Sequence, residues 1–137
     1  GMRIDDEAVK ILASSARGTP RIANTFVRRA IDIAQAANEN VINETVALAT
    51  LKLLGIDGMG LNDMDRRILK VLVEDYKCTP VGINTIATCV GENAKTIQEV
   101  YEPFLIAKKL VLPTSRGRVA TELAKEYVKG GLFNDNI

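Results

Sequence analysis

A chain of 137 residues has room for one domain or two small ones, and 47% hydrophobic against 26% charged residues excludes a disordered polymer. A formal charge of +1 is not that of a strongly basic nucleic-acid-binding domain, so any DNA contact has to rest on a few local cations. Two cysteines, Cys78 and Cys89, with no histidine cannot make a four-ligand zinc site without carboxylates, and read as reduced, partly buried thiols of a cytoplasmic protein.

Gly1-Met2 reads as a cloning remnant on a piece of something longer, and no signal peptide or membrane-length apolar run follows it. Asp5 or Asp6 is placed to cap a first helix running to about Ser15, with Ala8, Val9, Ile11 and Leu12 on its apolar face. Arg17-Gly18 ends it. Thr19 suits the N-cap of a second helix and Pro20 its first position, where a missing N–H costs nothing. That helix runs to about Ala37, with two adjoining stripes, Ile22, Phe26, Ala30 and Ala23, Val27, Ala34. Asn43 caps a third helix with Val46, Ala47, Leu51 and Leu54 inward, and Gly55 terminates it. Three antiparallel helices make a small helical domain. Asp57-Gly58-Met59-Gly60 marks its boundary, giving domains of 1–58 and 59–137.

The second half opens on Asn62, a cap answered by Asp65. Met64, Ile68, Leu69, Leu72 and Val73 form the apolar face of its helix. A turn around Pro80 leads to a short helix with Ile83, Ile86, Ala87 and Val90 inward, stopped by Gly91. Asn93 starts the next helix, with Ile97, Val100, Tyr101, Phe104 and Leu105 on one face. Helix, tight turn, helix is the helix-turn-helix pattern. Pro103 lies inside the second of these helices and predicts a kink or break. Leu110-Val111-Leu112 reads as a strand, Ser115-Arg116-Gly117 as a turn, and Val119-Ala120 as the start of a return strand. Thr121 to Val128 is helical, with Leu123 and Tyr127 inward, and Gly130-Gly131 ends the order. The fold class is therefore mainly α: a three-helix domain, then a winged helix-turn-helix with a β-hairpin wing.

Three places can carry chemistry. Arg21 falls in the first turn of the second helix, where a cation opposes the helix dipole but also equips the helix end to hold an anion; on the residues alone, an arginine pointing into water is the more ordinary reading. The hairpin tip, Pro113 to Arg118, brings Arg116 and Arg118 around a glycine, either as a phosphate clamp or as a charged turn that resists aggregation. The exposed positions of the recognition helix include Lys95, Gln98, Glu99 and Glu102; the acids argue against deep groove insertion and leave Lys95 as one phosphate contact at most. No residues are spaced as a catalytic or metal site: the chain has no GxxxxGK phosphate loop and no histidine.

Arg17-Gly18-Thr19-Pro20-Arg21-Ile22-Ala23-Asn24 resembles the RuvB family of Holliday junction branch migration ATPases. The resemblance continues in order through Met64-Asp65-Arg66-Arg67, Pro80-Val81-Gly82, Thr96-Ile97, Glu102-Pro103 and Arg116-Gly117-Arg118, from about Asp5 to Tyr127. It implies the AAA+ small lid and the winged-helix head of a DNA helicase whose nucleotide-binding core, with its magnesium ligands, lies in a missing domain. Arg21 matches the family's sensor-2 residue, which reaches the ATP γ-phosphate, so that hydrolysis releases the lid and its attached head to move. Arg118 and its neighbour Arg116 match the family's DNA-contacting wing, with Lys95 beside a third position. The family commonly carries an arginine where this chain has Pro113 and a cation at or near Ala94. The implied partners are duplex arms of Holliday junction DNA, RuvB subunits in a hexameric ring, RuvA through the missing domain and RuvC, with no membrane, and no ATPase activity or cofactor for these residues alone. The rival readings are a free-standing winged-helix transcriptional regulator, which the acidic recognition face disfavours, and a winged-helix protein-interaction module, which the near-neutral charge favours.

Overall fold

The structure, a computed structural model, describes residues 2–130. They form two compact units, the first ending at Asn62 and the second beginning at Asp63. Gly131, and with it half of the expected Gly130-Gly131 terminator, lies outside the described residues.

In the first unit β1 (Arg3–Ile4) precedes α1 (Asp6–Ser15) and α2 (Pro20–Ala36), and β2 (Val41–Ile42) precedes α3 (Glu44–Leu53). The expected start and stop signals act as placed, though not always through the expected atoms. Asn43 caps α3, its Oδ1 accepting from the Val46 N–H at 2.9 Å. Asp5 and Thr19 occupy N-cap positions with extended backbones but make no side-chain cap. The Thr19 hydroxyl instead donates back to the Arg17 carbonyl at 3.4 Å, where the chain turns through Arg17 and Gly18 at φ of 59° and 68°. The core gathers Ala8 and Leu12 of α1, Phe26, Ala30 and Ala34 of α2, and Val46, Ala47 and Leu51 of α3. The fully buried alanines let the helix axes approach closely and replace the aromatic bulk this sequence lacks. Val9, placed inward by the helical period, is exposed.

One feature of this unit was not expected. β1 pairs in parallel with β2, Arg3 opposite Val41 and Ile4 opposite Ile42. The Arg3 N–H donates to the Asn40 carbonyl at 3.1 Å and the Asp5 N–H to the Ile42 carbonyl at 2.9 Å. Ile42 is 1% exposed, so this short pairing ties the segment ahead of α1 to the apolar core.

The second unit runs α4 (Asp63–Lys70), α5 (Ile83–Val90), α6 (Ala94–Thr96), α7 (Glu102–Ala107), β3 (Val111–Thr114), β4 (Gly117–Ala120) and α8 (Glu122–Lys129). α4 continues through a π-helical turn, Val71–Asp75, and α6 through another, Ile97–Tyr101. The second π turn is how the chain accommodates Pro103: the helix widens before it, and a new helix begins with the proline in its first turn, where no N–H is needed. Gly91, at φ 73°, closes α5 in the left-handed conformation. Asn93 caps α6 by accepting from the N–H groups of Lys95 and Thr96. Thr121 caps α8, accepting from the Ala124 N–H.

β3 and β4 form an antiparallel hairpin with Val111 opposite Ala120 and Pro113 opposite Arg118. The return strand begins at Gly117, two residues earlier than expected, because Arg118 also pairs with Val81 ahead of α5. Together α4, α5, the α6–α7 segment, the hairpin and α8 form a winged helix-turn-helix, buried around Ile68, Leu69, Leu72, Ile86, Ile97, Leu105, Leu110 and Tyr127. Val100 and Leu123, expected inward, are 39% and 44% exposed. Both cysteines are free; Cys78 is half-buried, and Cys89, expected to be partly buried, is exposed. Among the described residues no helix is long and apolar enough to cross a membrane, and no cluster of metal-ligating side chains occurs.

Candidate functional site

Arg21 stands where the α2 dipole concentrates positive charge. It follows Pro20 in the first turn, is exposed, and shares that turn with no acidic residue. Its carbonyl accepts from the Thr25 hydroxyl at 3.1 Å. A cation over a helix N-terminus whose N-cap hydroxyl is turned away is chemically suited to a phosphate oxygen.

The wing tip is tightly drawn. The Thr114 hydroxyl donates to the Gly117 carbonyl at 2.6 Å and accepts from the Arg116 N–H at 3.2 Å. Gly117 takes φ +134°, and a Cβ there would lie 2.6 Å from the carbonyl carbon and oxygen of Val81. Only a glycine lets β4 approach Val81 this closely. Arg118 is consequently fixed at the main chain twice: it donates to the Val81 carbonyl at 2.7 Å and accepts from the Val81 N–H at 2.9 Å.

The four cations singled out from sequence therefore stand in different environments. Arg21, Arg116 and Lys95 are exposed. Arg118 is not a free cation at the tip. Its Nε donates to Oε2 of Glu102 at 2.8 Å and its Nη2 to Oε1 at 3.2 Å, with side chains 22% and 14% exposed. This bidentate pair joins the wing to α7 and, with Ile68, Leu72, Ile86, Ile97 and Leu105, borders a small gap in the core. Glu102, counted from sequence among the exposed acids of the recognition helix, is turned inward; Gln98 and Glu99 remain outside. Lys95 sits in the first turn of α6, one residue after half-buried Ala94.

Two further residues that the sequence did not single out shape this unit. The Arg67 Nη2 donates to the Val90 carbonyl at 2.8 Å, placing a cation at the C-terminus of α5, where the helix dipole welcomes it. Gly117, read only as a turn residue, sets the distance between wing and helix-turn-helix. The signal for each was its place in a stretch that carries the family resemblance, Met64-Asp65-Arg66-Arg67 for Arg67 and Arg116-Gly117-Arg118 for Gly117.

Residues 1–57 match a model described as the RuvB AAA lid domain, and residues 58–129 one described as the RuvB C-terminal winged helix domain. The chain belongs to the RuvB family. It is 46% identical to a Holliday junction branch migration complex subunit RuvB of Kosmotoga olearia, over 97% of this chain and 39% of that protein. Its likeness to the same subunit of Chlorobaculum parvum is 50%, over 97% of this chain and 41% of the other. Among solved structures, the Thermotoga maritima RuvB Holliday junction branch migration motor superposes with a TM-score of 0.87 at 40% identity, covering 93% of this chain and 43% of that one. The chain thus spans about two fifths of the length of these RuvB relatives. The expected fold class, an AAA+ lid followed by a winged helix with a β-hairpin wing, is that of the matched domains.

Proposed function

We propose that this chain is the lid and DNA-binding portion of a RuvB motor, acting in the cytoplasm on the duplex arms of Holliday junctions during recombination and repair. In this reading residues 1–58 are the lid and 59–137 the head. The nucleotide-binding core, its magnesium and the contacts to RuvA come from outside these residues, and rings of RuvB subunits working with RuvC complete the assembly. Arg21 fits the lid's part in such a site: exposed, at a helix N-terminus, with no carboxylate in its turn to compete for a phosphate. When bound there, ATP would supply the free energy for lid movement. The chain's own contribution would be one guanidinium, that of Arg21, to hold the terminal phosphate.

The observation that carries the DNA reading is the exposed Arg116 at the tip of a wing rigidly mounted on a helix-turn-helix. The wing offers one exposed arginine, Arg116, and the recognition helix keeps Glu99 exposed. The binding should therefore be weak, sequence-independent and strongly salt-dependent. Fluorescence anisotropy of a labelled duplex over a salt series tests it. Binding at low salt that fades as salt rises, with Arg116→Ala removing about one unit from the log–log salt slope, supports the reading. Sequence-selective binding at physiological salt would instead indicate a transcriptional regulator. The Arg118–Glu102 pair, which neutralises one wing cation, favours a second reading as a protein-interaction module. Affinity unchanged in an Arg116/Arg118 double alanine variant would decide for that alternative.

A further inference from the structure

Resting on the DNA-binding reading, we infer that Glu102 is an internal competitor for the wing: its carboxylate occupies the Arg118 guanidinium in the DNA-free chain, and a phosphate engages Arg118 only by taking that place. Arg118 cannot move as a whole, because its main chain is bonded to Val81 in both directions and Gly117 is packed against the same residue. Only the side chain is free to change partners. The carboxylate meets it on two nitrogens, in the planar fork geometry that a phosphate also satisfies. The exchange is therefore between two anions of similar geometry, one fixed in the protein and one on the DNA.

Charge decides what the exchange is worth. Arg118 and Glu102 together are neutral, so while the pair is closed Arg118 adds no net positive charge to the wing. Arg116, two residues away, is exposed and among the described residues is paired with no carboxylate. The wing therefore holds one cation ready and one in reserve. Opposite Arg118 on the paired strand stands Pro113, which offers no second cation to draw Glu102 aside. Glu102 is only 14% exposed, so displacing its partner leaves a poorly hydrated carboxylate behind. In this chain that opposition restrains the wing until duplex is present.

The test is Glu102→Gln, which keeps the side-chain volume and removes the charge. The thermal midpoint of the head should fall, since the ion pair is lost, yet duplex affinity at low salt should rise. The log–log salt slope should steepen by about 0.9, because in the unaltered chain the carboxylate that Arg118 leaves takes up a cation as the phosphate gives one up, and in Glu102→Gln it does not; this amounts to roughly three-fold in affinity over a four-fold change in salt. In an Arg118→Ala background the same substitution should leave the slope unchanged. Stability and affinity moving in opposite directions is a signature that a merely structural pair does not give. Weaker binding with an unchanged slope in Glu102→Gln overturns the inference and makes Glu102 a residue that positions Arg118. An independent readout on the unaltered chain is the Arg118 Nε–H resonance during duplex titration: a shift away from its carboxylate-bonded position supports the exchange, and no change at saturation overturns it. If neither the unaltered chain nor Glu102→Gln binds duplex at low salt, the DNA-binding reading falls and this inference falls with it; binding by the unaltered chain with no slope change in the variant removes the inference alone.

Discussion

Gly117→Ala is the substitution whose cost the structure states most directly. At φ +134° an L side chain is strained before any neighbour is considered, a penalty of about 1–3 kcal/mol. The added Cβ would then lie 2.6 Å from the Val81 carbonyl carbon and oxygen and 3.0 Å from the Gly82 nitrogen. These are backbone atoms, so no side-chain rotation relieves the clash, and β4 must draw back. Doing so breaks the two Val81–Arg118 main-chain bonds of 2.7 and 2.9 Å, each worth about 0.5–1.5 kcal/mol net. The sum is about 2–6 kcal/mol, a large part of the stability of a small domain. For a unit of this size the midpoint should fall by at least about 8 °C. Tyr76, Tyr101 and Tyr127, the only tyrosines in the chain, all lie in the second unit, so the tyrosine band of the near-UV circular dichroism follows its melting apart from Phe26 of the first unit. A head midpoint within about 3 °C of the unaltered chain would refute both the close approach and the anchoring role given to Val81.

Three other outcomes follow from particular contacts. Asn93→Ala removes the oxygen that accepts from the Lys95 and Thr96 N–H groups; the head should lose about 1 kcal/mol in chemical denaturation, with Asn93→Gly losing less. Arg21→Ala should leave lid stability within about 0.5 kcal/mol or raise it slightly, since the exposed cation opposes the helix dipole; a clear loss of far-UV signal stability would show that Arg21 is not the free surface group described. The Tyr76 phenol is lifted above its ordinary 10.0, first by its hydrogen bond with Cys89 and then by the Cys89 charge, with smaller contributions from desolvation and Asp75. A raised folded-state value stabilises the head below the unfolded value and is lost as pH rises through the folded one. Cys89→Ala should lower the tyrosinate titration midpoint in a difference measurement, and an unchanged curve would remove Cys89 as the cause.

Elements announced by local chemistry were legible in the sequence. Pro20 and Asn43 start helices, Gly91 stops one, and Asn93 and the Arg116-Gly117 turn fall where they act, because caps and turns depend on residues a few positions apart. The parallel β1–β2 pairing was not legible, since two-residue strands show no alternation and their partners lie far apart in sequence. The Glu102–Arg118 pair was missed for a related reason. Pro103 announced a break, but not its form. A π turn closes its hydrogen bond one residue later than an α turn, so the α-helical count does not hold through it. Reading Ile97 to Leu105 at 3.6 residues per turn put Val100 inside and Glu102 outside, whereas Val100, in the π turn, is exposed and Glu102, next after it, faces Arg118; Phe104 and Leu105 are buried as that count expects. The interruption that fits a proline into the recognition helix is thus where the α-helical count fails and where a carboxylate meets the wing arginine.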